Sequence, residues 1–311
     1  MSSSTPAQPA QPSPLPLVYA VILNVNRRDD TLACLATLAA MGYPNLRTIV
    51  LDCQSTDGSV AAVRAAYPDV CVMPLEENRG YAGNNNIGIR EALARGAAWV
   101  FVLNDDLIVD PLCLKALIDA GQHDPTIGVL GPLVYHHDEP DVIQSAGGLI
   151  DANWNSVHRG LNERDTGQFL SPVEASFVSG CALLVRREVL ERVGLLDERF
   201  FMYWEETDWC LRARAAGWRV TIVPAARVWH KGVRRDYQPK PYVSYYMVRN
   251  RFLCMGSHHA PLRAKLAAWA TLTRTVLSYT LRPKWRVKKA HRDAMWRGAV
   301  DHLRRCYGPQ T

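Results

Sequence analysis

Apolar and polar positions in the N-terminal third of the chain repeat with two different periods. Short, nearly continuous apolar runs end at polar or acidic residues, which is the pattern of strands buried on both faces of a sheet. These runs are residues 18–25, 47–52, 70–73 and 98–103. Segments with helical periodicity lie between them at 30–40, 59–66 and 84–95. Alternating strands and helices predict right-handed crossovers and an α/β fold, with a Rossmann-like, mostly parallel sheet and helices on both faces.

The pattern changes after Pro111. A helix that ends near Gly121 precedes glycine-rich, strand-like segments at 127–134, 146–150 and 177–185. Further elements are predicted as a helix at 186–193, an aromatic stretch at 200–204, a helix at 205–216 and a strand at 219–223. From about Tyr242 onward the pattern is helical and basic. We therefore divide the chain into residues 1–16, 17–110, 111–235 and a basic helical C-terminal region, 236–311.

Charge is distributed unevenly along the 311 residues, although the net charge is only +6. Residues 251–311 contain thirteen Lys or Arg against two Asp, so this region carries +11 and the rest of the chain carries −5. Hydrophobic residues at 48% and charged residues at 21% are ordinary for a globular protein. The split predicts an acidic body that can hold a cation, joined to a basic end suited to an anionic surface.

The termini and the cysteines indicate where the protein works. Residues 1–16 are rich in Ser, Pro, Gln and Ala without the features of a signal peptide, and we expect them to be a disordered tail. The apolar segment 262–281 contains Arg263, Lys265 and Arg274, so it does not have the roughly 20 apolar residues of a membrane span. The eight cysteines are dispersed, without zinc or disulfide spacing. A cytoplasmic protein is expected.

Polar side chains follow the predicted strands at the sheet edge where ligands of α/β proteins bind. They are Asn24, Asn26, Asp52 and the run Asn104-Asp105-Asp106. The carboxylates after the strand at 98–103 suit Mg²⁺ or Mn²⁺ bound together with phosphates. The same run is also what an acidic turn before a proline contains, and the segment by itself leaves both interpretations open.

Three carboxylates, those of Glu205, Glu206 and Asp208, lie at the start of the helix predicted at 205–216. The helix dipole favours acidic residues in a first turn, and Asp208 is spaced to pair with Arg212. That account explains Asp208. It explains less well why two glutamates directly follow the aromatic stretch 200–204, where an apolar wall raises a carboxylate pKa toward that of a general base.

Two further segments are weaker on their own. His230 ends a short strand, and its spacing alone favours a structural histidine over a ligand. Residues 77–86 place glycines, Asn and Arg before a helix, which offers donors to an anionic ligand or forms a plain loop with a helix cap. No Gly-X-Gly-X-X-Gly follows the first strand, which argues against an NAD-binding protein.

Together these segments resemble the inverting glycosyltransferase family with the GT-A fold, especially its rhamnosyltransferase-like bacterial members. The resemblance runs from about Val18 to Gly232 in the family's order. It implies that residues 17–110 bind the nucleotide sugar and that 111–235 form the acceptor-binding and catalytic half of the same GT-A domain. It also implies a Mg²⁺ or Mn²⁺ ion that holds the diphosphate of the donor.

The resemblance assigns roles to individual residues. Asp52 matches the aspartate that contacts the nucleotide base, and the donor-binding set comprises Asn24, Asn26, Asp52, Asn78, Arg79, Gly83, Asn86 and Asp105. Asp106 is the expected metal ligand, completed by His230. Gly180 and Trp204 are assigned to the sugar and acceptor site, and Glu206 or Glu205 to the catalytic base.

The chain departs from the family's usual pattern at four places. Asn104 replaces the first aspartate of the Asp-X-Asp motif, which leaves Asp105 as a substitute, and Glu205-Glu206 replaces the usual Glu-Asp. Val25 stands where many relatives carry a tyrosine. Cys53 and Gln54 replace the more common Asn and a small residue.

The expected function is inverting transfer of a sugar such as rhamnose from a dTDP- or UDP-sugar to a hydroxyl of a glycan or lipid-linked acceptor, in the assembly of cell-surface polysaccharide. The basic C-terminal region either contacts an anionic membrane at its inner face or is a solvated helical face. A nucleic-acid partner is not expected, because carboxylates after the strands repel phosphate unless a metal intervenes. A non-catalytic nucleotide-sugar-binding protein stays open, given Asn104 and Glu206.

Overall fold

The N-terminal half of the protein is an alternating succession of strands and helices. The structure is a computed structural model that describes residues 15–232 and 236–310, so most of the expected tail, 1–16, lies outside the described residues. The first elements are β1 (Val18–Asn24), α1 (Arg28–Ala40), β2 (Leu46–Asp52), α2 (Ser59–Ala66), β3 (Cys71–Pro74), α3 (Gly80–Ala94) and β4 (Trp99–Asn104). Their order confirms the predicted α/β alternation.

Helix α3 begins four residues earlier than the periodicity predicts, at Gly80. The side chain of Asn78 accepts a hydrogen bond from the Gly80 backbone N–H, and the side chain of Asn84 accepts one from the Arg79 N–H. These two bonds satisfy backbone donors that the start of a helix leaves unpaired.

Eight strands of very different length and three α-helices follow within the described residues up to His230. They are β5 (Leu107–Val109), α4 (Cys113–His123), β6 (Ile127–His136), β7 (Ile143–Ser145), β8 (Gly148–Ile150), β9 (Ser156–His158), β10 (Val173–Glu174), β11 (Ala182–Arg186), α5 (Arg187–Val193), α6 (Glu205–Ala215) and β12 (Arg219–His230). Two strands differ from expectation. The strand expected at 177–185 begins only at Ala182, and the strand expected at 219–223 continues to His230.

A single sheet with the order β10-β12-β6-β11-β4-β1-β2-β3 organises the domain, and β5 and β7 pair with β12 and β6. Strands β4, β1, β2 and β3 are parallel, whereas β11 is antiparallel to both β4 and β6. Asn24 lies opposite Asp52, and Leu23 lies opposite Asn104. The polar ends of β1, β2 and β4 are therefore neighbours at one edge.

The core lies on both faces of this sheet. Val18, Ala20 and Ile22 of β1 pack in one cluster with α1 and α4, whereas Tyr19 and Val21 pack in the other with α3 and α6. Successive residues of a strand point to opposite faces, so a strand covered by helices on both sides reads as a continuous apolar run. For this reason, nearly continuous apolar runs in the sequence predicted these strands.

Three helices complete the protein: α7 (Pro241–Ser257), α8 (Leu262–Leu281) and α9 (Lys289–Arg304), with a short 3₁₀ helix at Pro283–Lys288 before α9. Leu253 and Cys254 of α7 pack directly against Phe200 and Trp204, next to the start of α6. Within the described ranges, no helix has both the length and the apolar character needed to cross a membrane.

Candidate active site

The ends of β1 and β2 form a rigid polar floor. The Asn24 amide donates hydrogen bonds to Asp52 Oδ1 over 2.6 Å and to Ser55 Oγ over 3.1 Å. The other Asp52 oxygen accepts a bond from the Ser55 backbone N–H. Asn26 ties the same two loops together, since its side chain accepts from the Thr56 N–H. The expected donor-binding residues Asn24, Asn26 and Asp52 are thus in one place.

Asp106 lies between Arg27 and His230 after the end of β4. Its Oδ1 is 3.1 Å from His230 Nε2, and its Oδ2 is 3.0 Å from Arg27 Nη1. Burial opposes ionisation, but the hydrogen bond and charge of His230, together with Arg27, hold the pKa of Asp106 below its ordinary value. Asp106 is therefore charged at neutral pH.

Its neighbour Asp105 behaves differently. Burial, reinforced by the negative charge of Asp106, raises the pKa of Asp105 to about 7. Its nearest cation is Arg27, whose Nε lies 3.9 Å from Asp105 Oδ1. Without a further cation, this carboxyl group is mostly protonated below about pH 7.

His230 reaches this edge because β12 runs past its expected end. The register of β12 against β6 shifts between Val223 and Arg227, and the strand then pairs with β5, placing His230 opposite Leu107. Gln144 Oε1 lies 3.1 Å from His230 Nδ1, where it can accept a hydrogen bond from Nδ1–H, and His230 Nε2 faces Asp106.

Arg27 was missed by the sequence analysis. It follows β1 and contacts Asp30 at 3.1 Å besides Asp105 and Asp106, while Lys231 Nζ lies 3.0 Å from the other Asp30 oxygen. A cationic residue directly after a strand end was the available signal. Arg27 and Lys231 partly neutralise the acidic cluster.

The two glutamates lie at the N-terminus of α6. Burial raises the pKa of both Glu205 and Glu206, and in Glu205 the charge of Glu206 adds to the rise. Glu205 is only 4% exposed, and its Oε2 has no hydrogen-bond partner among the described residues. Glu206 is less buried and accepts a bond from Thr207 Oγ1. Raised carboxyl pKa values of this kind are typical of groups that accept protons in a reaction.

The loop at residues 179–181 connects the two acidic groups. A Cβ atom on Gly180 would lie 3.5 Å from Glu206 Cγ, and the Cys181 carbonyl accepts the Asn104 N–H over 2.8 Å. Burial raises the pKa of the Cys181 thiol to about 12, and the charges of both Asp106 and Glu206 contribute to the rise. Asp106 and Glu206 therefore lie on either side of one loop.

A strained turn sets the position of the glutamates. Phe201, Tyr203 and Trp204 have φ values of 64°, 65° and 76°, in the left-handed region that residues with side chains seldom adopt. The buried Asn250 amide donates to the carbonyl oxygens of Phe200, Met202 and Tyr203 at 2.8–2.9 Å. Such bonds offset the strain of the turn.

Arg249 supports the same turn from the next position of α7. This fully buried residue donates to the carbonyl oxygens of Arg199 and Phe200, and its guanidinium lies 4.9 Å above the Tyr246 ring. We call Arg249 and Asn250 the carbonyl clamp. The sequence analysis missed it, although an Arg-Asn pair within an aromatic helix was a signal.

The structure separates Asp208 from the two glutamates. Arg212 Nε is 2.8 Å from one Asp208 oxygen and His258 Nε2 is 2.9 Å from the other. Burial opposes ionisation, but these two partners lower the pKa of Asp208 below its ordinary value. Asp208 thus joins α6 to the end of α7 and has a structural role.

Four of the expected donor-binding residues lie just before α3 or in its first two turns. Asn78 accepts the Gly80 N–H, and the exposed Arg79 pairs with Glu77. Gly83 lies against Arg79, where a Cβ would come within 2.5 Å of the Arg79 Cβ. The Asn86 side chain bonds both the N–H and the C=O of Leu196, so it also holds the α5–α6 connection, and its place in the donor site stays a prediction.

Trp204 is also placed differently from the acceptor loop expected for it. Its ring packs with Phe200, Leu253 and Cys254, which turns it toward α7. Gly180, by contrast, lies beside Glu206 as expected for that loop. The direction of the Trp204 side chain follows from the left-handed backbone at that residue.

Comparisons with known proteins agree with this geometry. The sequence model described as Glycosyl transferase family 2 matches residues 19–194. The chain is 34% identical to an N-acetylglucosaminyl-diphospho-decaprenol L-rhamnosyltransferase of Mycobacterium tuberculosis, covering 74% of this chain and 82% of the relative. It is 26% identical to the dTDP-rhamnosyl transferase RfbF of Shigella flexneri, covering 88% and 92%.

A solved structure shares the fold. The mannosyltransferase PcManGT of Pyrobaculum calidifontis, in complex with GDP-Man and Mn²⁺, superposes with a TM-score of 0.58 at 19% identity. The superposition covers 93% of this chain and 87% of the mannosyltransferase. The likeness therefore extends over the C-terminal helices as well as the sheet domain.

The carbonyl clamp yields a stability prediction. Asn250→Leu keeps the side-chain volume similar but leaves three carbonyls of a strained turn without their donor, so we expect the free energy of unfolding to fall by about 1–3 kcal/mol. Urea denaturation measures it. Asn153→Leu, at an exposed position, is the control and should change stability by less than about 0.5 kcal/mol. Equal stability of the two variants would contradict the role of the clamp.

Proposed function

The chain belongs to glycosyl transferase family 2, and from that membership we propose that it transfers rhamnose from dTDP-rhamnose to a hydroxyl of a lipid-linked glycan acceptor. It is a glycosyltransferase of the hexosyltransferase class that acts in cell-surface polysaccharide biosynthesis. The names of the Mycobacterium and Shigella relatives support rhamnose as the sugar, and the Shigella name supports dTDP over UDP. The observation that carries the proposal is that Asp106 and Glu206 border the same loop, residues 179–181.

The donor occupies the half formed by residues 17–110 in this proposal. Asp52 faces the base of the nucleotide, since each carboxylate oxygen keeps a second lone pair after accepting from Asn24 or Ser55. Asn24, Asn26, Asn78, Arg79, Gly83 and Asp105 form the rest of the donor site. Residues 111–235 supply the acceptor side and the base.

A divalent ion, Mg²⁺ or Mn²⁺, fits the donor atoms of Asp106 and His230. Asp106 Oδ1 and His230 Nε2 are 3.1 Å apart, close to the separation of about 3 Å expected between neighbouring ligands of one ion with bonds of about 2.1 Å. Gly232 leaves room beside this pair, because a Cβ there would overlap Asp106 Oδ2. When bound, the ion neutralises charge on the diphosphate of the donor.

Glu206 is the base in this mechanism. It takes the proton of the acceptor hydroxyl as that oxygen bonds to the anomeric carbon, on the face opposite the diphosphate, whose bond to the carbon breaks. Glu205 is more deeply buried, whereas Glu206 lies beside Gly180. Arg27, which contacts Asp106, assists charge neutralisation in this proposal together with Arg79.

The base assignment is tested with Glu206→Gln. Transfer from dTDP-rhamnose should fall by about 10²–10⁴-fold, because a positioned general base contributes that much, while donor binding measured by calorimetry stays unchanged. In the wild type, the rate should fall as the pH drops through the raised pKa of Glu206, since the base must be ionised.

Glu205→Gln is the matched control for this test, with the same chemical change one position earlier. A larger loss in Glu205→Gln than in Glu206→Gln would assign the base to Glu205. A wild-type protein that binds the donor but never turns it over, with either metal and a range of dTDP- and UDP-sugars, would support the non-catalytic alternative. No relative found for this chain supports that alternative.

The metal assignment is tested with Asp106→Asn. A chelator should abolish transfer by the wild type, and Mn²⁺ or Mg²⁺ should restore it. In Asp106→Asn, the Mn²⁺ concentration for half-maximal activity should rise by about tenfold or more, because the amide keeps the shape but loses the charge. Asp110→Asn is the control at an acidic residue outside the cluster. An unchanged Mn²⁺ response in Asp106→Asn would exclude this ligand.

We also propose that the protein works at the cytoplasmic face of a membrane, which it contacts through the region after α7. Exposed apolar residues alternate there with cations: Leu277, Leu281 and Val287 are 52%, 73% and 82% exposed. The neighbouring cations that extend from the helix end into the 3₁₀ segment are Arg282, Lys284, Arg286, Lys288 and Lys289. We call these exposed apolar residues and cations together the basic face. Apolar side chains among cations suit the interface of an anionic bilayer.

Charge reversal tests the membrane contact. Lys284→Glu with Arg286→Glu should weaken binding to phosphatidylglycerol vesicles, measured by sedimentation, by about thirtyfold or more, since each cation near such a surface contributes about 1 kcal/mol and about 1.4 kcal/mol is a factor of ten. Arg64→Glu with Lys115→Glu, on exposed positions of the sheet domain, makes the same change in net charge and should bind like the wild type. Equal losses in the two double variants would mean that net charge alone causes the weaker binding.

A further inference from the structure

An apolar pocket of about 260 Å³ lies between the sheet domain and the three C-terminal helices. Its walls are mostly apolar side chains and include Trp204, Met247, Phe252, Leu272 and Met295. Ala268, Thr271, Leu272 and Thr275 line it from α8, at the spacing of one helical stripe. The pocket is therefore a property of how α8 packs on α7 and α9, not of the nucleotide-binding half.

The pocket adjoins the start of α6 through Trp204. This residue directly precedes Glu205, and its indole N–H is buried without a hydrogen-bond partner among the residues that the structure describes. An unpaired buried donor is unfavourable, so a polar group of a ligand that reached it would be stabilised.

A cation also lines this otherwise apolar space. Arg251 is anchored by hydrogen bonds to the carbonyl oxygens of Trp154 and Asn153. Burial lowers the pKa of Arg251 from its ordinary value, which means that the guanidinium has lost part of its hydration. An anionic group on a bound molecule would restore favourable interactions there.

A wider groove lies along α8 beside the pocket. Thr275 lies in the wall of both spaces, and the groove is lined by Arg274, Leu277, Leu281, Arg282 and Trp285. Leu277, Leu281 and Arg282 belong to the basic face. The pocket and the groove are therefore neighbours at Thr275, between the proposed membrane contact and the residue before the glutamates.

We propose that this pocket receives the part of a polyprenyl chain next to the diphosphate of a lipid-linked acceptor, while the rest of the chain follows the α8 groove into the membrane. The chemistry of the lining fits: apolar walls for the hydrocarbon, and the cation at Arg251 for the diphosphate. A volume of about 260 Å³ is below the roughly 300–1,000 Å³ of sites that enclose a whole drug-sized ligand. It therefore takes only a short length of chain.

This inference rests on the proposed transfer to a lipid-linked acceptor, and its test is a binding measurement that does not need turnover. Farnesyl diphosphate, which carries a short polyprenyl chain, and inorganic diphosphate are titrated into the full-length protein without vesicles. Farnesyl diphosphate should bind at least about tenfold more tightly, since burying as few as two methylene groups gives a factor of that size.

Two variants fill the pocket from α8. Thr271→Trp and Thr275→Trp should each remove most of the tenfold preference for farnesyl diphosphate, while donor binding and donor hydrolysis remain those of the wild type. Ala290→Trp, at an exposed position of α9 outside the pocket, is the control and should keep the preference. Circular dichroism confirms that each variant is folded. If one filled variant does not fold, the other still tests the pocket.

The outcomes separate the two proposals. If the wild type shows no preference for farnesyl diphosphate, or if both filled variants keep it, the pocket does not hold the chain. If the preference and its loss appear as expected but the wild type transfers no sugar, the pocket stands and the proposed function fails. Transfer to a short-chain acceptor with no chain-length preference would uphold the function and overturn the pocket.

Discussion

The structure depends on the concentration of buried carboxylates around one loop. Asp105, Asp106 and Glu205 are nearly inaccessible, and Glu206 lies next to them across residues 179–181. Buried charge is unfavourable unless it is paired or neutralised by protons. Asp106 is paired with Arg27 and His230, whereas Asp105 and the glutamates have raised pKa values instead. In the proposed function, the charged Asp106 holds the cation and Glu206 takes up the proton.

Such an arrangement needs a scaffold that holds it against electrostatic repulsion. The sheet, covered on both faces, fixes the strand ends that carry Asn24, Asp52 and Asp106. The carbonyl clamp of Arg249 and Asn250 fixes the strained turn that carries the glutamates. Since the clamp lies on α7, the C-terminal helices are part of the catalytic architecture and not an appendage to it.

The C-terminal helices carry different chemistry on their outer and inner surfaces. Their outer surface carries the basic face, and their inner surface lines the apolar pocket next to Trp204. In the proposed function, a lipid-linked acceptor approaches along this side. Asp208, bonded to Arg212 and His258, couples α6 to the end of α7, so that the base and the pocket are held by the same elements.

Local sequence determined the alternation of strands and helices and the candidate carboxylates, because burial on both sheet faces and the chemistry of strand ends leave local patterns. Asp52, Asp106 and the glutamate pair were identified from their immediate neighbours. The tertiary structure alone decided that β12 continues to His230, that Arg27 enters the acidic cluster, that Asn86 binds the Leu196 backbone, and that Trp204 turns toward α7. Each of these depends on strand register or on side-chain direction, and contacts with residues far away in the chain set both.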